Sequence, residues 1–271
     1  MQNHLLSLPS EVYRNRRLVW KLAKNDFRTR YAGSYLGIIW AFIQPIVTIL
    51  VYVFVFSIGF RMGTADLGFP FVLYLVAGIV PWFFFQDALT GGTNALLEYN
   101  YLVKKVVFNI SVLPIVKLIS AMFVHGFFVL FTILLYLCYG RMPDWYYLQI
   151  LYYSAAVFLL VLGMVYMTCA VVVFFRDLSQ MINIGLQVGV WLTPIMWVSE
   201  TALKNHPWIR MILKLNPMYY IVSGYRDVFL FKKWFFEHPV WTAYFWAFTI
   251  VCFLIGSRIF TKLRVHFADV L

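Results

Sequence analysis

Charged residues are scarce in this chain of 271 residues: they make up 12% of it, and only 11 are acidic. Hydrophobic residues make up 63%, a composition that excludes a soluble globular domain. Cysteine is also rare, and Cys138, Cys169 and Cys252 stand singly in apolar stretches. An odd number without close pairs argues against both a disulfide framework and a metal site.

The motifs of common catalysts are missing as well. No G-x-x-x-x-G-K-[ST] phosphate loop occurs, so the chain by itself is not expected to bind and hydrolyse ATP in that way. The five histidines are scattered over different segments, and no catalytic or metal-binding residue is predicted. Ionisable groups near the middle of apolar runs are almost absent, which argues against proton or ion coupling. We therefore expect another protein to supply energy.

Two ionisable residues inside apolar runs need partners. His125 is the only histidine deep in such a run, and it is either hydrogen-bonded to a neighbouring carbonyl or a proton relay. Asp87 lies near the inner end of its run, where Lys117 or Arg176 is the expected partner. Lys117 is also close enough to the inner face to extend its ammonium toward the headgroups.

Long apolar runs are what the sequence has in abundance. The first carries no charge over 25 positions, which at about 1.5 Å per residue form a helix of roughly 37 Å, enough to cross a hydrocarbon core of about 30 Å. Six runs predict an all-α polytopic membrane protein with a single domain over residues 1–271. The predicted spans are 36–60, 71–89, 110–137, 147–174, 181–198 and 240–260.

Basic residues gather at the ends of these spans and give the chain a formal net charge of +11. Residues 10–30 carry several of them at near-helical spacing with apolar positions, which predicts an amphipathic helix in the cytoplasmic interface. Six spans then leave both termini in the cytoplasm. Anionic membrane lipids, and not nucleic acid, are the expected partners of this charge.

Residues 199–239 lie outside the membrane in this topology although they carry several basic residues. We expect two short re-entrant helices here, broken at Pro207 and Pro217, that dip into the outer leaflet. Irregular backbone at membrane depth is tolerated only where it is buried in protein or lines a wet cavity. The segment is therefore expected at the exit of a pathway.

Polar and aromatic side chains recur every four residues along the first span, which places them in one stripe on the helix. The stripe consists of Trp40, Gln44, Thr48 and Tyr52. Because lipid cannot satisfy polar groups, the stripe is expected to face protein or water. Two interpretations stay open: hydrogen bonding to a neighbouring helix, or one wall of a translocation path.

Further aromatic residues lie within the spans or in the outer segment, away from the usual positions at span ends. They include Trp191, Trp197, Tyr219 and Tyr220. Flat aromatic faces accept sugar rings by stacking, without demanding fixed hydrogen bonds, and a sliding sugar chain needs this tolerance. Trp191 and Trp197 are therefore predicted, with the stripe, to line a substrate path.

Several motifs together carry a family resemblance. They are DFRTRYAGSYLGIIWAFIQP at residues 26–45, FFRDL at 174–178, TPIMW at 193–197, NPMYY at 216–220 and YRD at 225–227. As a set they resemble ABC-2 type permeases that export O-antigen, capsular polysaccharide or teichoic acid. The resemblance covers nearly the whole chain.

The resemblance implies a homodimer in the cytoplasmic (inner) membrane, bound to two copies of a separate nucleotide-binding subunit. ATP and Mg²⁺ would lie on that partner, and this chain would bind no cofactor of its own. The cargo would be an undecaprenyl-pyrophosphate-linked glycan that moves outward.

The resemblance also implies roles for particular residues. The connector at residues 99–108 would form a coupling helix on the ATPase, with the turn after the fourth span as a second contact. The coupling residues would be Tyr101, Lys104, Lys105, Arg176 and Asp177. Arg28 and Arg30 would either hold the lipid pyrophosphate or simply anchor the chain by the positive-inside rule. Tyr219 and Tyr220 would help to close an outer gate.

Two other functions remain open from the sequence. A permease of the same superfamily could export a drug or a lipid, although the aromatic residues within spans argue against it. A membrane enzyme acting on lipid-linked sugars would need clustered carboxylates or histidines at one membrane face, and the sequence shows no such cluster.

Overall fold

The computed structural model describes residues 14–60, 68–103 and 109–270, and over these residues the chain is helical and contains no strand. Five helical segments are long and apolar enough to cross a membrane. They are Gly37–Gly59, Phe71–Thr93, Ile110–Cys138, Trp145–Val172 and Pro239–His266. A helix satisfies all its main-chain hydrogen bonds internally, which is why apolar runs of this length adopt it in lipid. The all-α membrane class is confirmed.

We number the α-helices in chain order. They are α1 (Arg16–Thr29), α2 (Trp40–Val53), α3 (Phe71–Thr93), α4 (Ala95–Glu98), α5 (Asn100–Val103), α6 (Leu113–Cys138), α7 (Gln149–Val172), α8 (Leu178–Leu192), α9 (Ser199–Ala202), α10 (Pro207–Lys214), α11 (Pro217–Arg226), α12 (Pro239–Leu263) and α13 (Phe267–Val270). Short 3₁₀ turns precede α2, α6, α7 and α12, and π-helical turns extend α2 and α11. The predicted spans 71–89 and 240–260 both end several residues too early.

The predicted fifth span, residues 181–198, is wrong in its extent. Helix α8 ends at Leu192, because Thr193 is extended with φ −85° and ψ 123°. Thr193 precedes Pro194, and the proline ring disfavours helical geometry at the residue before it. The resulting helix has 15 residues, fewer than the roughly 20 that a transmembrane helix needs.

The segment after α8 follows the prolines as predicted. Helices α10 and α11 each carry a proline in their first turn, where its missing N–H costs nothing. The side chain of Asn216 caps α11 by accepting a hydrogen bond of 3.0 Å from the main-chain nitrogen of Met218. The single turn α9 was not predicted.

Helix α1 is amphipathic, as predicted over residues 10–30, of which residues 10–13 lie outside the described part. Its buried side consists of Val19, Ala23 and Asp26, and it packs on α6. Most of its basic side chains point outward. The ring of Trp20 is exposed and also makes an edge contact with Phe123, with ring centres 5.4 Å apart.

Helix α3 is the centre of the bundle, and α2 lies at its edge. In α3, 78% of the most apolar 18-residue window is buried, against 11% in the segment that contains α2. Helix α3 packs against α6, α7 and α11, while α7 packs most extensively against α12. An edge helix of this kind leaves a cleft between itself and the central helix.

Candidate functional site

A cleft with a volume of about 660 Å³ lies among α2, α3, α6 and α8. We call it the central cleft. Helix α2 contributes Trp40, Gln44, Thr48 and Tyr52, and α8 contributes Asn183, Gln187 and Trp191. From α3 come Trp82, Phe83, Gln86 and Asp87, and from α6 come His125 and Phe128. Aromatic rings therefore alternate with amides and hydroxyls around the space.

The central cleft brings together most of the side chains that the sequence predicted for a path. The whole stripe of α2 lines it, opposite Trp191. Trp197 does not line it: its indole nitrogen donates to the carbonyl oxygen of Trp191 at 3.1 Å. The extended geometry at Thr193 turns the chain away after α8, which accounts for this position.

The cleft is open along α2. Gln44 is exposed, and the hydroxyl of Thr48 donates back to the main-chain carbonyl of Gln44 at 2.9 Å. Apolar side chains beside the stripe, such as Val47 and Val51, are half exposed. An amide in this position needs water or protein in front of it, because hydrocarbon offers no hydrogen bond.

His125 forms part of a buried polar cluster in the wall of the cleft. Its Nε2 lies 3.2 Å from the hydroxyl of Ser154 and 2.9 Å from that of Tyr225, and these two hydroxyls are 2.8 Å apart. The partners come from α7 and α11. These contacts of Nε2 favour the hydrogen-bonded interpretation of His125, with side-chain hydroxyls as its partners.

Charged side chains form a second cluster, which we call the inner ionic cluster: Asp26, Arg30, Asp87, Glu98 and Lys117. Lys117 Nζ lies 2.6 Å from Asp26 and also pairs with Glu98. Arg30 Nη1 lies 2.8 Å from both carboxylate oxygens of Asp87. The cluster therefore ties α1, α3, α4 and α6 together.

The environment of Asp26 shifts its titration. Burial acts to raise the pKa of this carboxyl, but the hydrogen bond and the charge of Lys117 outweigh it and hold the pKa below its usual range. The hydroxyl of Tyr99 adds a hydrogen bond of 2.7 Å to the same carboxylate. Asp26 is thus an ionised, buried partner of Lys117.

Two predictions about this region are wrong. Asp87 pairs with Arg30, and neither Lys117 nor Arg176 is its partner. Lys117 does not extend toward the headgroups, because it is buried against Asp26 and Glu98. The packing of α1 on α6 brings Asp26 to Lys117, and the local sequence around Lys117 carries no sign of that contact.

A second cavity, which we call the outer cavity, has a volume of about 470 Å³ and is lined largely by α11 and the loops around it. Tyr219 and Tyr220 both line it. The hydroxyl of Tyr220 lies 3.0 Å from those of Tyr152 and Thr242, while the hydroxyl of Tyr219 lies 3.3 Å from that of Ser199.

Arg226 is a buried residue of the outer cavity to which sequence reasoning assigned no role. Its guanidinium donates to the carbonyl oxygens of Pro194 and Ile195, each at 2.7 Å, and stacks over the ring of Tyr74 at 3.5 Å. These contacts hold the non-helical turn after α8 against α3 and α11. The signals in the sequence were the charge itself and its place in the YRD motif at 225–227.

Comparison with known protein families assigns the sequence to one of them. The sequence pattern of the family described as ABC-2 type transporter matches residues 17–230. The chain belongs to the ABC-2 type transporter family. The resemblance found in the motifs is thereby confirmed.

Similar proteins carry more specific names. The O-antigen export system permease protein RfbA of Myxococcus xanthus is 27% identical over 265 residues, which cover 98% of this chain and 99% of that protein. A protein of the same name from Klebsiella pneumoniae is 26% identical, with coverage of 92% and 93%. The polysialic acid transport protein KpsM of Escherichia coli is 20% identical, with coverage of 87% and 89%.

For an ABC-2 family member, the central cleft offers several kinds of binding group. Within residues 14–60, 68–103 and 109–270, no group of three or more His, Cys, Asp or Glu side chains could hold a metal ion. Aromatic faces, amides and hydroxyls can contact a passing ligand and release it again.

The remaining predicted residues of this ABC-2 protein lie at the surface or outside the described part. Arg28 is exposed on α1, and Tyr101 on α5 is 55% exposed. Arg176 and Asp177 are exposed in the turn between α7 and α8. The first turn of α8 contacts the end of α3, because the hydroxyl of Ser179 donates a hydrogen bond of 3.0 Å to the side-chain oxygen of Asn94. Lys104 and Lys105 lie outside the described residues.

Proposed function

We propose that this chain is the permease subunit of an ATP-driven exporter for undecaprenyl-linked cell-surface polysaccharide: O-antigen, capsule or teichoic acid. It works in the cytoplasmic membrane and has no ATPase site of its own. The names of three similar proteins support a polysaccharide as the cargo. The observation that carries the proposal is the central cleft, where the stripe of α2 faces Trp191.

The cleft suits a sliding sugar chain for a physical reason. Trp40 and Trp191 present flat apolar faces, on which the C–H surfaces of sugars stack with little dependence on rotation. Gln44 and Thr48 add donors and acceptors that exchange partners as hydroxyls pass. Asp87 also lines the cleft, but its charge is offset by the ion pair with Arg30, so a neutral chain meets no strong trap there.

A homodimer would complete the path. The exposed amide of Gln44 and the half-exposed apolar residues beside it cannot all face lipid without cost. A second copy that packs along the open side of α2 would cover this surface and enclose two clefts in one channel. We therefore propose two copies of the permease, each with its own nucleotide-binding subunit.

The proposed topology has six membrane segments with both termini in the cytoplasm. Helix α8, at 15 residues, is the short fifth segment, and the turn after Thr193 completes its passage through protein. Helices α10 and α11 are the re-entrant pair at the outer face. The basic face of α1 lies against anionic headgroups at the inner face, in line with the positive-inside rule.

The partner ATPase, with its ATP and Mg²⁺, would dock on the connector after α3. Tyr101, Lys104 and Lys105 are the proposed contacts, and the exposed turn at Arg176 and Asp177 is a second one. The inner ionic cluster supports this role, since Glu98 and Tyr99 at the start of the connector bond to Lys117 and Asp26. A displacement of the connector would therefore be transmitted directly to α1 and α6.

Arg28 and Arg30 are the proposed contacts for the lipid pyrophosphate. Arg28 is exposed on α1, whereas Arg30 already pairs with Asp87 at the rim of the central cleft. A pyrophosphate that binds Arg30 must compete with this carboxylate. Release of Asp87 would then accompany the loading of the cargo. Tyr219 and Tyr220, on the outer cavity, are the proposed outer gate.

Reconstitution with the candidate ATPase tests the proposal. The pair is placed in proteoliposomes, and both ATP turnover and the appearance of glycan on the far side are measured. Trp191→Ala is expected to lower glycan export at least tenfold while ATPase binding persists. Trp145→Ala, a tryptophan outside both cavities, is the matched control. Tyr101→Ala and Lys104→Ala are expected to uncouple ATP turnover from export.

The alternatives give different outcomes in this assay. ATP turnover that responds to a drug or lipid, but not to glycan, would establish the other type of ABC-2 exporter. If no ATPase binds and glycan export does not occur, the proposed function is wrong.

A further inference from the structure

The outer cavity has a charge pattern that the export proposal does not use. Three cationic side chains and one carboxyl line it: Lys214, Arg226, Lys233 and Asp227. The guanidinium of Arg226 is engaged with main-chain carbonyls. The ammonium of Lys214 forms no ion pair with a carboxylate in the part of the chain that the structure describes. A cleft with an excess of positive charge and walls of low dielectric constant attracts anions.

The single carboxyl of the cavity opposes this attraction only weakly. Burial raises the pKa of Asp227 to about 6, although the charge of Lys233 acts in the opposite direction. His238 Nε2 lies 3.6 Å from the carboxylate and, when protonated, compensates its charge. Asp227 therefore repels an anionic ligand less than a solvated aspartate would.

Aromatic surface lies beside the cation. The ammonium of Lys214 lies over the ring of Trp241 at 5.2 Å from its centre, and both side chains line the cavity. The volume of about 470 Å³ falls within the range of about 300–1,000 Å³ that is typical of small-molecule sites. A flat ring next to a cation suits a sugar that carries an anionic group: the ring stacks on the sugar, and the cation pairs with the anion.

We infer that the outer cavity is a binding site for an acidic saccharide, in which Lys214 pairs with the carboxylate and Trp241 stacks on the sugar ring. The inference rests on the proposed export of a glycan, because such a chain leaves past the outer segment. It adds a preference within that proposal: glycans that contain uronic acid or another acidic sugar bind at the exit, and neutral glycans bind there weakly.

Two disaccharides of similar shape test this preference. The full-length protein in phosphatidylcholine nanodiscs, which carry no anionic lipid, is titrated with cellobiouronic acid and with cellobiose, and binding is followed by saturation-transfer NMR. Cellobiouronic acid is expected to bind about tenfold more tightly, as a charge-assisted contact implies. Equal dissociation constants for the two sugars would overturn the inference, as would the absence of binding.

Variants separate the charge from the fold. Lys214→Met is expected to remove the preference for the acidic sugar, whereas Lys214→Arg keeps it. Trp241→Leu is expected to weaken the binding of both sugars. Lys204→Met, at an exposed lysine of the same segment that does not line the cavity, is the control and should leave both dissociation constants unchanged. A preference that survives Lys214→Met would overturn the assignment.

The outcome is independent of the export assay. If the reconstituted complex exports glycan but the nanodisc protein shows no preference, this inference fails and the proposed function stands. If the acidic disaccharide binds through Lys214 but no ATPase couples to the chain, the proposed function fails and the site stands.

Discussion

Lys117 and Arg226 are two buried cations that the chain stabilises in different ways. Lys117 contacts the carboxylates of Asp26 and Glu98, so its charge is neutralised by ion pairs. Arg226 instead donates to the carbonyl oxygens of Pro194 and Ile195, so its charge is solvated by main-chain dipoles. In both cases, the loss of one partner leaves a buried charge without compensation in an apolar environment, which is strongly unfavourable.

Asp26→Asn should therefore destabilise the protein. Removal of one member of a buried ion pair costs about 3 kcal/mol, and Glu98 compensates only in part because half of its side chain faces solvent. The measurement is the free energy of unfolding in a detergent titration. Asp177→Asn, in an exposed turn, is the control and should change the value by less than about 0.5 kcal/mol.

The same pair predicts a pH dependence. The pKa of Asp26 in the folded protein is lowered, so its stabilisation is complete above the ordinary aspartate pKa of about 3.9 and is lost as the pH falls through the lowered value. The stability difference between the wild type and Asp26→Asn should be constant from pH 7 to about 5 and shrink below about pH 4. A difference that grows on acidification would contradict the assignment.

Arg226→Lys should also destabilise the fold, although charge is retained. A planar guanidinium donates to two carbonyl oxygens at once and stacks on an aromatic ring. The single ammonium of lysine does not reproduce this paired donation or the stacking. A loss of about 2 kcal/mol is expected, as for a hydrogen bond to a charged group. Arg210→Lys on α10 is the control, and thermal unfolding followed by tryptophan fluorescence is the measurement. Equal melting temperatures for the two variants would refute this role.

Residue partners were the least predictable feature. The presence of Asp87 and Lys117 near the inner ends of their spans followed from the sequence, but their partners did not. These partners, Arg30 and Asp26, come from the region of α1, and only the packing of α1 on α6 decides which carboxylate meets which cation.

At the scale of elements, α7 and α12 form the tightest helix contact. A β-carbon on Gly256 would lie 2.3 Å from the carbonyl oxygen of Gly163, and one on Gly163 would lie 2.8 Å from the main-chain nitrogen of Phe253. Small residues permit such an approach of two membrane helices. Both contacts are with main chain, so no side-chain rotation relieves them.

Gly256→Ala is therefore expected to separate α7 from α12 and to destabilise the protein by about 1–3 kcal/mol, as overpacking does. Gly126→Ala on α6 is the matched control, because a β-carbon there meets nothing within 4 Å. That control should be neutral or slightly stabilising, since alanine favours a helix. The measurement is the detergent titration, and equal effects of the two substitutions would contradict the packing.

The helices themselves were largely predictable, because apolar length decides them. Five of the six predicted spans correspond to helices long enough to cross a membrane. The error at residues 181–198 came from counting apolar residues across Pro194, although the restraint that a proline places on the preceding residue was visible in the sequence. The breaks predicted at Pro207 and Pro217 coincide with the first residues of α10 and α11.

We expect two copies of the chain to form a dimer, with the open side of α2 in the interface. Val51→Cys, at a position 50% exposed beside the stripe, should cross-link to a second copy with a bismaleimide in a background without the three native cysteines. Leu134→Cys on α6, which is 60% exposed, should stay monomeric on a denaturing gel. Cross-linking at Leu134 and not at Val51 would place the interface elsewhere.

The candidate site was predictable to the extent that one helix carries it. The stripe of α2 follows from a spacing of four residues, and it lines the central cleft. The cavity walls from α3, α6 and α8 depend on how separate helices pack, and periodicity does not encode that. For this reason their aromatic chemistry led to the same prediction for Trp191 and Trp197, but Trp191 lines the cleft and Trp197 lies outside it.

The central claim is that a glycan passes through the central cleft along α2. The most direct test is a photo-crosslinking amino acid at Thr48 in the reconstituted complex while it exports glycan, with the same group at Leu134 as the control. ATP-dependent cross-links to glycan are expected at Thr48 and none at Leu134. Active export without any cross-link at Thr48 would contradict the claim.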